Sequence, residues 1–188
     1  MDTIIDWDKA LFLFLNGLGN STWDGFWMFI TNKWSSLPLY ILLLILSIRQ
    51  LGWKRTGILL IAVALLITTT DQLANFFKYG VGRLRPCYDL EIFEIMRLVK
   101  HSCGGKFGYF SAHAGSAMAL AVFFTFVLGE KIKILPIILF FWALMVGYSR
   151  IYIGVHFPGD VLTGICIGFL FGWLYARLFH LTLHKIYV

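Results

Sequence analysis

Residues 57–77 read GILLIAVALLITTTDQLANFF, an apolar run in which Asp71 is the one ionisable side chain. A helix needs about 20 mostly apolar residues to cross the hydrocarbon core of a bilayer. Other segments satisfy this requirement or come near it, two of them once their interfacial flanks are included: 111–128, 158–179, 36–48 and 134–149. The sequence therefore predicts an all-α polytopic membrane helix bundle with five transmembrane helices.

The composition supports a membrane protein. The chain is 59% hydrophobic and 14% charged, whereas a soluble domain has about 25% charged residues. The net charge of +6 is spread between apolar spans rather than collected on a polar face. This distribution argues against a nucleic-acid partner and favours contact with anionic lipid head groups. We predict a single domain over residues 1–188.

The first part of the chain is apolar but interrupted. Asn16-Gly17, Gly19-Asn20 and Asp24 break the run between residues 6 and 32. We interpret residues 1–33 as interfacial amphipathic helices and residues 34–188 as the transmembrane bundle, and a re-entrant sixth span is the alternative. The residues that we expect to anchor these helices among the head groups are Trp7, Trp23 and Trp27.

Short basic loops predict the orientation. The 49–55 loop, the 129–133 loop and the C-terminal tail all carry Lys or Arg, which marks the cytoplasmic side. The N-terminus, the long 79–110 loop and the 150–158 turn then lie on the other side. This orientation places the protein in a bacterial inner membrane, with these segments facing the periplasm or the cell exterior.

Ionisable residues near membrane spans cost free energy, and in this sequence they concentrate at the non-cytoplasmic face. Lys78, Arg85 and Arg150 are cations of the kind that bind a phosphoryl group. The backbone amides at Ser111, Ala112 and His113 lie where a helix begins, which is a ready anion site. Two histidines can divide the roles of nucleophile and general acid, and a carboxylate four residues after one of them can orient its ring. The histidines and the carboxylate are His113, His156 and Asp160.

These residues stand in three motifs that resemble the signature of the type 2 phosphatidic acid phosphatases, membrane relatives of vanadium haloperoxidases and bacterial acid phosphatases. The family signature is Lys-x6-Arg-Pro, Pro-Ser-Gly-His and Ser-Arg-x5-His-x3-Asp. The chain reads Lys78-YGVGRL-Arg85-Pro86, then Phe110-Ser111-Ala112-His113, then Ser149-Arg150-IYIGV-His156-FPG-Asp160. The first and third motifs match in full. The middle motif has Phe for Pro and Ala for Gly, and it keeps the Ser and His that carry its polar functions.

The resemblance implies a role for each matching residue. His156 attacks phosphorus and forms a phosphohistidine, while Asp160 orients and stabilises it. His113 protonates the leaving oxygen and then activates water. The phosphoryl oxygens are held by Lys78, Arg85, Ser111, Ala112 and Arg150. The resemblance implies no metal and no cofactor.

The resemblance also implies a membrane lipid phosphate or diphosphate as substrate. Undecaprenyl diphosphate or phosphatidylglycerol phosphate fits this small bacterial form best, with phosphatidic acid and a lipid A phosphate as further candidates. Two other functions stay open: a lipid-to-lipid phosphotransferase, and a transporter or scaffold that keeps the bundle without catalysis.

Several other polar residues have two interpretations each. Asp71 and Asn75 share a helical face with Lys78 and either support it or bind neighbouring helices together. Arg83 either contacts the substrate head group or extends to water. Cys87 and Cys103 share the 79–110 loop and are either a disulfide or two free thiols.

Overall fold

The computed structural model describes residues 2–100 and 102–187. Within these residues the chain forms α-helices and two 3₁₀ turns, and it contains no strand beyond one isolated bridge. The helices are α1 (Asp2–Gly17), α2 (Ser21–Thr31), α3 (Leu37–Leu51), α4 (Trp53–Val81), α5 (Ala112–Leu128), α6 (Leu135–Tyr152) and α7 (Pro158–Tyr187). The predicted fold class, an all-α membrane bundle, is confirmed.

Four segments are long and apolar enough to cross a membrane: Lys33–Leu51, Trp53–Val81, Leu135–Tyr152 and Pro158–Tyr187. The remaining apolar helix, α5, has 17 residues, which is at the short end of the range for a spanning helix. It lies in the middle of the bundle, and most of its side chains are buried against α4, α6 and α7. The five predicted apolar segments therefore all form helices, with α4 and α7 longer than expected.

Glycines let α7 pack directly on the backbone of α5. A Cβ atom at Gly164 would stand 2.6 Å from the carbonyl oxygen of Ser111, and one at Gly168 would overlap the carbonyl oxygen of Gly115. Such close approach requires residues without side chains at the contact. The helix pair fixes the start of α5 against the start of α7, and both starts carry candidate site residues.

The N-terminal helices lie against the bundle at the end where α6 finishes. Phe12 of α1 is fully buried and meets the Phe157 ring edge-on, with centroids 5.4 Å apart. Burial of one such ring contributes roughly 2 kcal/mol. Trp7 and Trp23 are exposed as head-group anchors would be, but Trp27 packs on Tyr148 and Tyr152 of α6. Trp27 is therefore half-buried and helps to hold α2 against α6.

The segment between α4 and α5 folds back over the same end. Gly82 caps the end of α4 with a φ of 66°, which suits glycine, and the chain then turns at Pro86. Leu84 and Phe107 pair as an antiparallel bridge. Cys87 and Cys103 are joined as a disulfide, with Cα atoms 6.3 Å apart. The loop is thereby closed on itself above the helix ends.

Candidate active site

Antiparallel packing brings four helix ends to one face of the bundle. Lys78 lies in the last turn of α4 and Arg150 in the last turn of α6. His113 and Asp160 lie in the first turns of α5 and α7. His156 lies in the turn between α6 and α7. The three sequence motifs thus meet at the face that the predicted topology assigned to them.

His156 and Asp160 form a buried pair. The side chain of His156 is 3% exposed and that of Asp160 is fully buried, with the ring Nδ1 atom 3.5 Å from Oδ2. This separation is at the outer limit of a hydrogen bond, and Nδ1 has no hydrogen-bond partner among the described residues. Oδ2 also accepts a hydrogen bond of 3.1 Å from the amide of Phe157. The carboxylate is therefore fixed by the backbone and faces the imidazole.

The surroundings of His156 keep its ring neutral. Burial lowers the pKa of His156 to about 4, the nearby Asp160 carboxylate acts in the opposite direction, and the positive charges of Arg150 and Arg85 lower the pKa further. A neutral imidazole has a free lone pair on one nitrogen, which is the form that a nucleophile needs.

The side chain of Arg83 supports the site from behind Asp160. Its guanidinium lies between two carboxylates, with Nη1 2.9 Å from Oδ1 of Asp160 and Nη2 2.6 Å from Oδ2 of Asp8. Its Cζ atom also lies 4.4 Å from the centre of the Phe157 ring. Arg83 therefore contacts the partner of His156 and a residue of α1, because the loop folds inward and not towards water.

Arg85 is held by backbone carbonyls of its own loop. Nε donates to Phe107 over 3.2 Å and Nη1 donates to Cys103 over 2.8 Å. Gly108 lies above the site: a Cβ there would stand 2.9 Å from Cγ of Arg85 and 3.5 Å from Nδ1 of His156. The loop thus covers His156 and presents a fixed cation beside it.

Lys78 is linked to two polar residues of the same helix face. Its Nζ atom donates to Oδ1 of Asn75 over 3.3 Å, and Nδ2 of Asn75 lies 3.5 Å from Oδ2 of Asp71. These contacts form a line along α4 that ends at the ammonium group. Of the two interpretations of Asp71 and Asn75, the geometry favours support of Lys78.

Ser111 and Ala112 begin α5 at the centre of the site. Ser111 is fully buried, caps the helix through its side chain, and donates its amide to the carbonyl of Asp160 over 3.0 Å. Arg150 is also buried and donates through Nη1 to the hydroxyl of Thr31, while its Nε has no partner in the described part of the chain. A buried guanidinium nitrogen without a partner leaves a donor for a bound anion.

A cavity of about 480 Å³ opens beside these residues between α2, α4, α5 and α6. His113 lines it and is exposed to it. Polar lining comes from Thr31, Asn32, Lys33, Asp71 and Gln72. A second cavity of about 260 Å³ shares Tyr40, Ile67 and Leu120 with the first and is otherwise lined by apolar side chains of α3, α4 and α5. The site thus offers a cavity with mixed polar and apolar lining beside His113, and a second cavity with apolar lining further along the bundle.

Three contributors were not expected from the sequence. Asp8 and Thr31 come from the N-terminal helices and touch motif residues only through the fold. Lys100 is partly buried in the loop, and this burial together with the charges of Arg150 and Arg85 lowers its pKa. A charge pattern alone gives no signal for any of them.

The fold and site define a polytopic membrane protein with two histidines and three cations at one bundle face. The profile of the PAP2 superfamily matches residues 55–182. The chain belongs to the PAP2 superfamily and is a phosphatase of the PAP2 type, so the predicted family and enzyme class are confirmed.

Relatives that match over most of their length agree with this assignment. The chain is 35% identical to a lipid A 4'-phosphatase of Bacteroides thetaiotaomicron over 96% of its own length and 80% of that protein. It is 33% identical to a lipid A 4'-phosphatase of Porphyromonas gingivalis over 94% and 77% of the two chains. The crystal structure of a transmembrane PAP2-type phosphatidylglycerolphosphate phosphatase from Bacillus subtilis superposes with a TM-score of 0.75 at 22% identity, covering 95% of this chain and 87% of that one. This last likeness establishes the fold.

Proposed function

We propose that the protein removes phosphate from a membrane lipid through a covalent phosphohistidine at His156. The observation that carries this proposal is the buried His156–Asp160 pair beside Arg85 and Arg150, with His113 facing the cavity. Three cations and a helix start then surround the position of a phosphoryl group, which suits stabilisation of its transition state.

In the first step the neutral His156 ring attacks phosphorus. The bond from phosphorus to nitrogen forms as the bond to the lipid oxygen breaks, and His113 acts as the general acid that gives a proton to that oxygen. The phosphohistidine carries positive charge on its ring, which the Asp160 carboxylate stabilises. Because His156 is nearly enclosed while His113 is exposed to the cavity, the lipid leaves on the His113 side.

In the second step His113 takes a proton from water. The water oxygen bonds to phosphorus, the bond from phosphorus to nitrogen breaks, and inorganic phosphate leaves with His156 neutral again. Lys78, Arg85 and Arg150 neutralise the equatorial oxygens in both steps, with Ser111 and the amides at Ala112 beside them.

The cavity favours a lipid with a polar head group. Asn32, Asp71 and Gln72 offer donors and acceptors suited to hydroxyl groups next to the scissile phosphate. The two lipid A 4'-phosphatase relatives act on such a phosphorylated glycolipid by name. We therefore place a lipid A phosphate first, followed by phosphatidylglycerol phosphate and undecaprenyl diphosphate, the two substrates expected from sequence, and then phosphatidic acid.

The site is proposed to face the periplasm of an inner membrane. The opposite end of the bundle from His156 carries Arg49 in the last turn of α3, Lys54 at the start of α4, and Lys131 and Lys133 between α5 and α6, as the positive-inside rule requires of a cytoplasmic side. The disulfide at the site's own end suits an oxidising compartment.

The decisive experiment measures phosphate release in detergent from these four lipids. Wild type is compared with His156→Ala and with His184→Ala, a matched histidine control at the exposed far end of α7. We expect His156→Ala to lose at least about 10³-fold in kcat and His184→Ala to keep the wild-type rate. Undiminished release by His156→Ala refutes the nucleophile.

Acid-labile ³²P on the wild type after a rapid quench, absent from His156→Ala, supports the covalent step. Transfer of label to an added lipid alcohol in preference to water makes the protein a phosphotransferase instead. Absence of release from every lipid removes the proposed function altogether.

A further inference from the structure

Helix α1 reaches the catalytic face through one carboxylate. Asp8 accepts a hydrogen bond of 2.8 Å from the amide of Gly159 on Oδ1 and pairs with Nη2 of Arg83 on Oδ2. A Cβ atom at Gly159 would stand 2.8 Å from Oδ2 of Asp8. Two separate features of the chain, a paired arginine and a glycine that leaves room, therefore accommodate this carboxylate.

The contact continues to the nucleophile. The other branch of the Arg83 guanidinium binds Oδ1 of Asp160, and Oδ2 of Asp160 faces His156. The side chains of Asp8 and Arg83 are 13% and 22% exposed, and that of Asp160 is fully buried. The row Asp8, Arg83, Asp160 thus has one negative charge in excess behind a neutral His156, and the excess is cancelled when the ring becomes cationic.

We propose that Asp8 is a positioning residue for the phosphatase: acting through Arg83, it holds the Asp160 carboxylate against His156 and keeps a net negative charge behind the nucleophile. Without Asp8, Asp160 alone balances the positive charge of Arg83. The Asp160 carboxylate then stabilises a cationic His156 ring less well. Without Arg83, the carboxylate acts on the ring undiminished. Loss of Asp8 and loss of Arg83 therefore shift the protonation equilibrium of the His156 ring in opposite directions.

The other charged or titratable groups around His156 are the same in every variant of this comparison. Arg85 reaches it from the loop, Arg150 from α6 and His113 from α5. None of these contacts Asp8 through a hydrogen bond or ion pair between described residues. Differences in the acid limb between these variants can therefore be attributed to the changed charges at Asp8 and Arg83.

The test is the pH profile of kcat/KM from pH 3 to 8, with the lipid phosphate from the panel that wild type hydrolyses fastest. Asp8→Asn is expected to move the acid limb down by about one pH unit and to lower kcat about tenfold. Arg83→Gln is expected to move the limb up by about one unit. The double variant restores one excess negative charge, so its limb returns towards the wild-type position. Arg83→Lys keeps the positive charge but cannot bind both carboxylates as the guanidinium does. It should therefore leave the acid limb at the wild-type pH and lower kcat.

The matched control is Asp24→Asn, which breaks another ion pair between an N-terminal helix and the same loop, at 3.0 Å from Arg97. It should leave the acid limb in place. Limbs that shift in the same direction for Asp8→Asn and Arg83→Gln, or an equal shift in Asp24→Asn, overturn the proposal. Acid limbs at the wild-type position in Asp8→Asn, Arg83→Gln and Asp24→Asn overturn it as well.

A readout without substrate separates this inference from the proposed function on which it rests. The ¹⁵N resonances of the His156 ring, assigned by their absence in His156→Ala, report its protonation directly. Opposite displacements of that titration in Asp8→Asn and Arg83→Gln support the positioning role even where no lipid is hydrolysed. Coincident titrations in folded protein reject it even where hydrolysis is confirmed.

Discussion

Nη1 of Arg85 donates a hydrogen bond of 2.8 Å to the backbone carbonyl of Cys103, and Cys103 is bonded to Cys87. The carbonyl that orients a proposed phosphate-binding cation is therefore fixed by a covalent link across 16 residues. The same guanidinium is held a second time by the carbonyl of Phe107. Loop order and phosphate affinity should consequently change together.

Removal of this link should weaken substrate binding. In Cys87→Ser/Cys103→Ser we expect KM to rise several-fold, with a smaller change in kcat, because Arg85 loses its fixed acceptor. A loop of this size closed by a disulfide contributes about 3 kcal/mol to stability, so the melting temperature in detergent should also fall. Cys166→Ser, which alters the free cysteine of α7, is the control. An unchanged KM in the double variant contradicts the role of the loop.

Wild-type activity should depend on pH through His156. The ring attacks only when neutral, and burial lowers its pKa to about 4. kcat/KM should therefore decline tenfold per unit as pH falls below that value. The profile is measured against a substrate whose own second phosphate ionisation, near pH 6, is titrated separately. An enzyme limb near 6.5, the value of an unperturbed histidine, contradicts the enclosed neutral ring.

Chelation should leave the rate unchanged. The proposed site neutralises phosphoryl charge with Lys78, Arg85 and Arg150, so no step in the mechanism assigns a role to a divalent ion. Phosphate release in excess EDTA is compared with release in buffer alone. Activity that disappears with EDTA and returns with added Mg²⁺ would show that the three cations do not suffice.

Substitution of Gly168 should destabilise the bundle. Gly168→Ala places a methyl group on the carbonyl of Gly115 and forces α5 and α7 apart, at a cost of about 1–3 kcal/mol. Gly57→Ala is the control, since nothing lies within 4 Å of its Cβ position and alanine favours helix. Thermal unfolding in detergent should place Gly168→Ala below wild type and Gly57→Ala at or above it. Equal midpoints would mean that the close contact contributes little.

Labelling of single cysteines should establish which side the site faces. In a Cys166→Ala background, Glu94→Cys lies in the exposed part of the loop at the site, and Lys133→Cys lies in the loop at the opposite end. A membrane-impermeant maleimide should label Glu94→Cys in intact cells and label Lys133→Cys only after lysis. The reverse pattern would invert the proposed orientation.

Much of this architecture is readable from local patterns. Apolar length alone indicates the spans, since lipid leaves a helix little alternative. The spacing of Lys78, Arg85, His156 and Asp160 is also local to two motifs, and antiparallel helices bring such motifs to one face. These features depend on residues near one another in the chain, so the sequence suffices to predict them.

The contribution of the N-terminal helices is not local. Asp8 lies 152 positions from Asp160 in the numbering, and an acidic residue on an interfacial helix is ordinarily solvated. Trp27 is of the residue type that anchors helices among head groups, yet it packs on Tyr148. Both outcomes follow from where α1 and α2 dock, and docking is decided by the finished surface of the bundle.

Asn16 holds that docked arrangement at its centre. Its Nδ2 atom donates to the carbonyls of Arg97, Ile151 and Tyr152, its Oδ1 atom accepts from the amide of Arg97, and the residue is 1% exposed. Asn16 precedes Gly17, a pair that readily deamidates in flexible chains. Inside α1 the amide is shielded from this reaction, but a detached helix loses the protection. Conversion to aspartate would then place a carboxylate next to three carbonyl oxygens, which would repel it. Deamidation of a detached α1 would therefore prevent the helix from docking again.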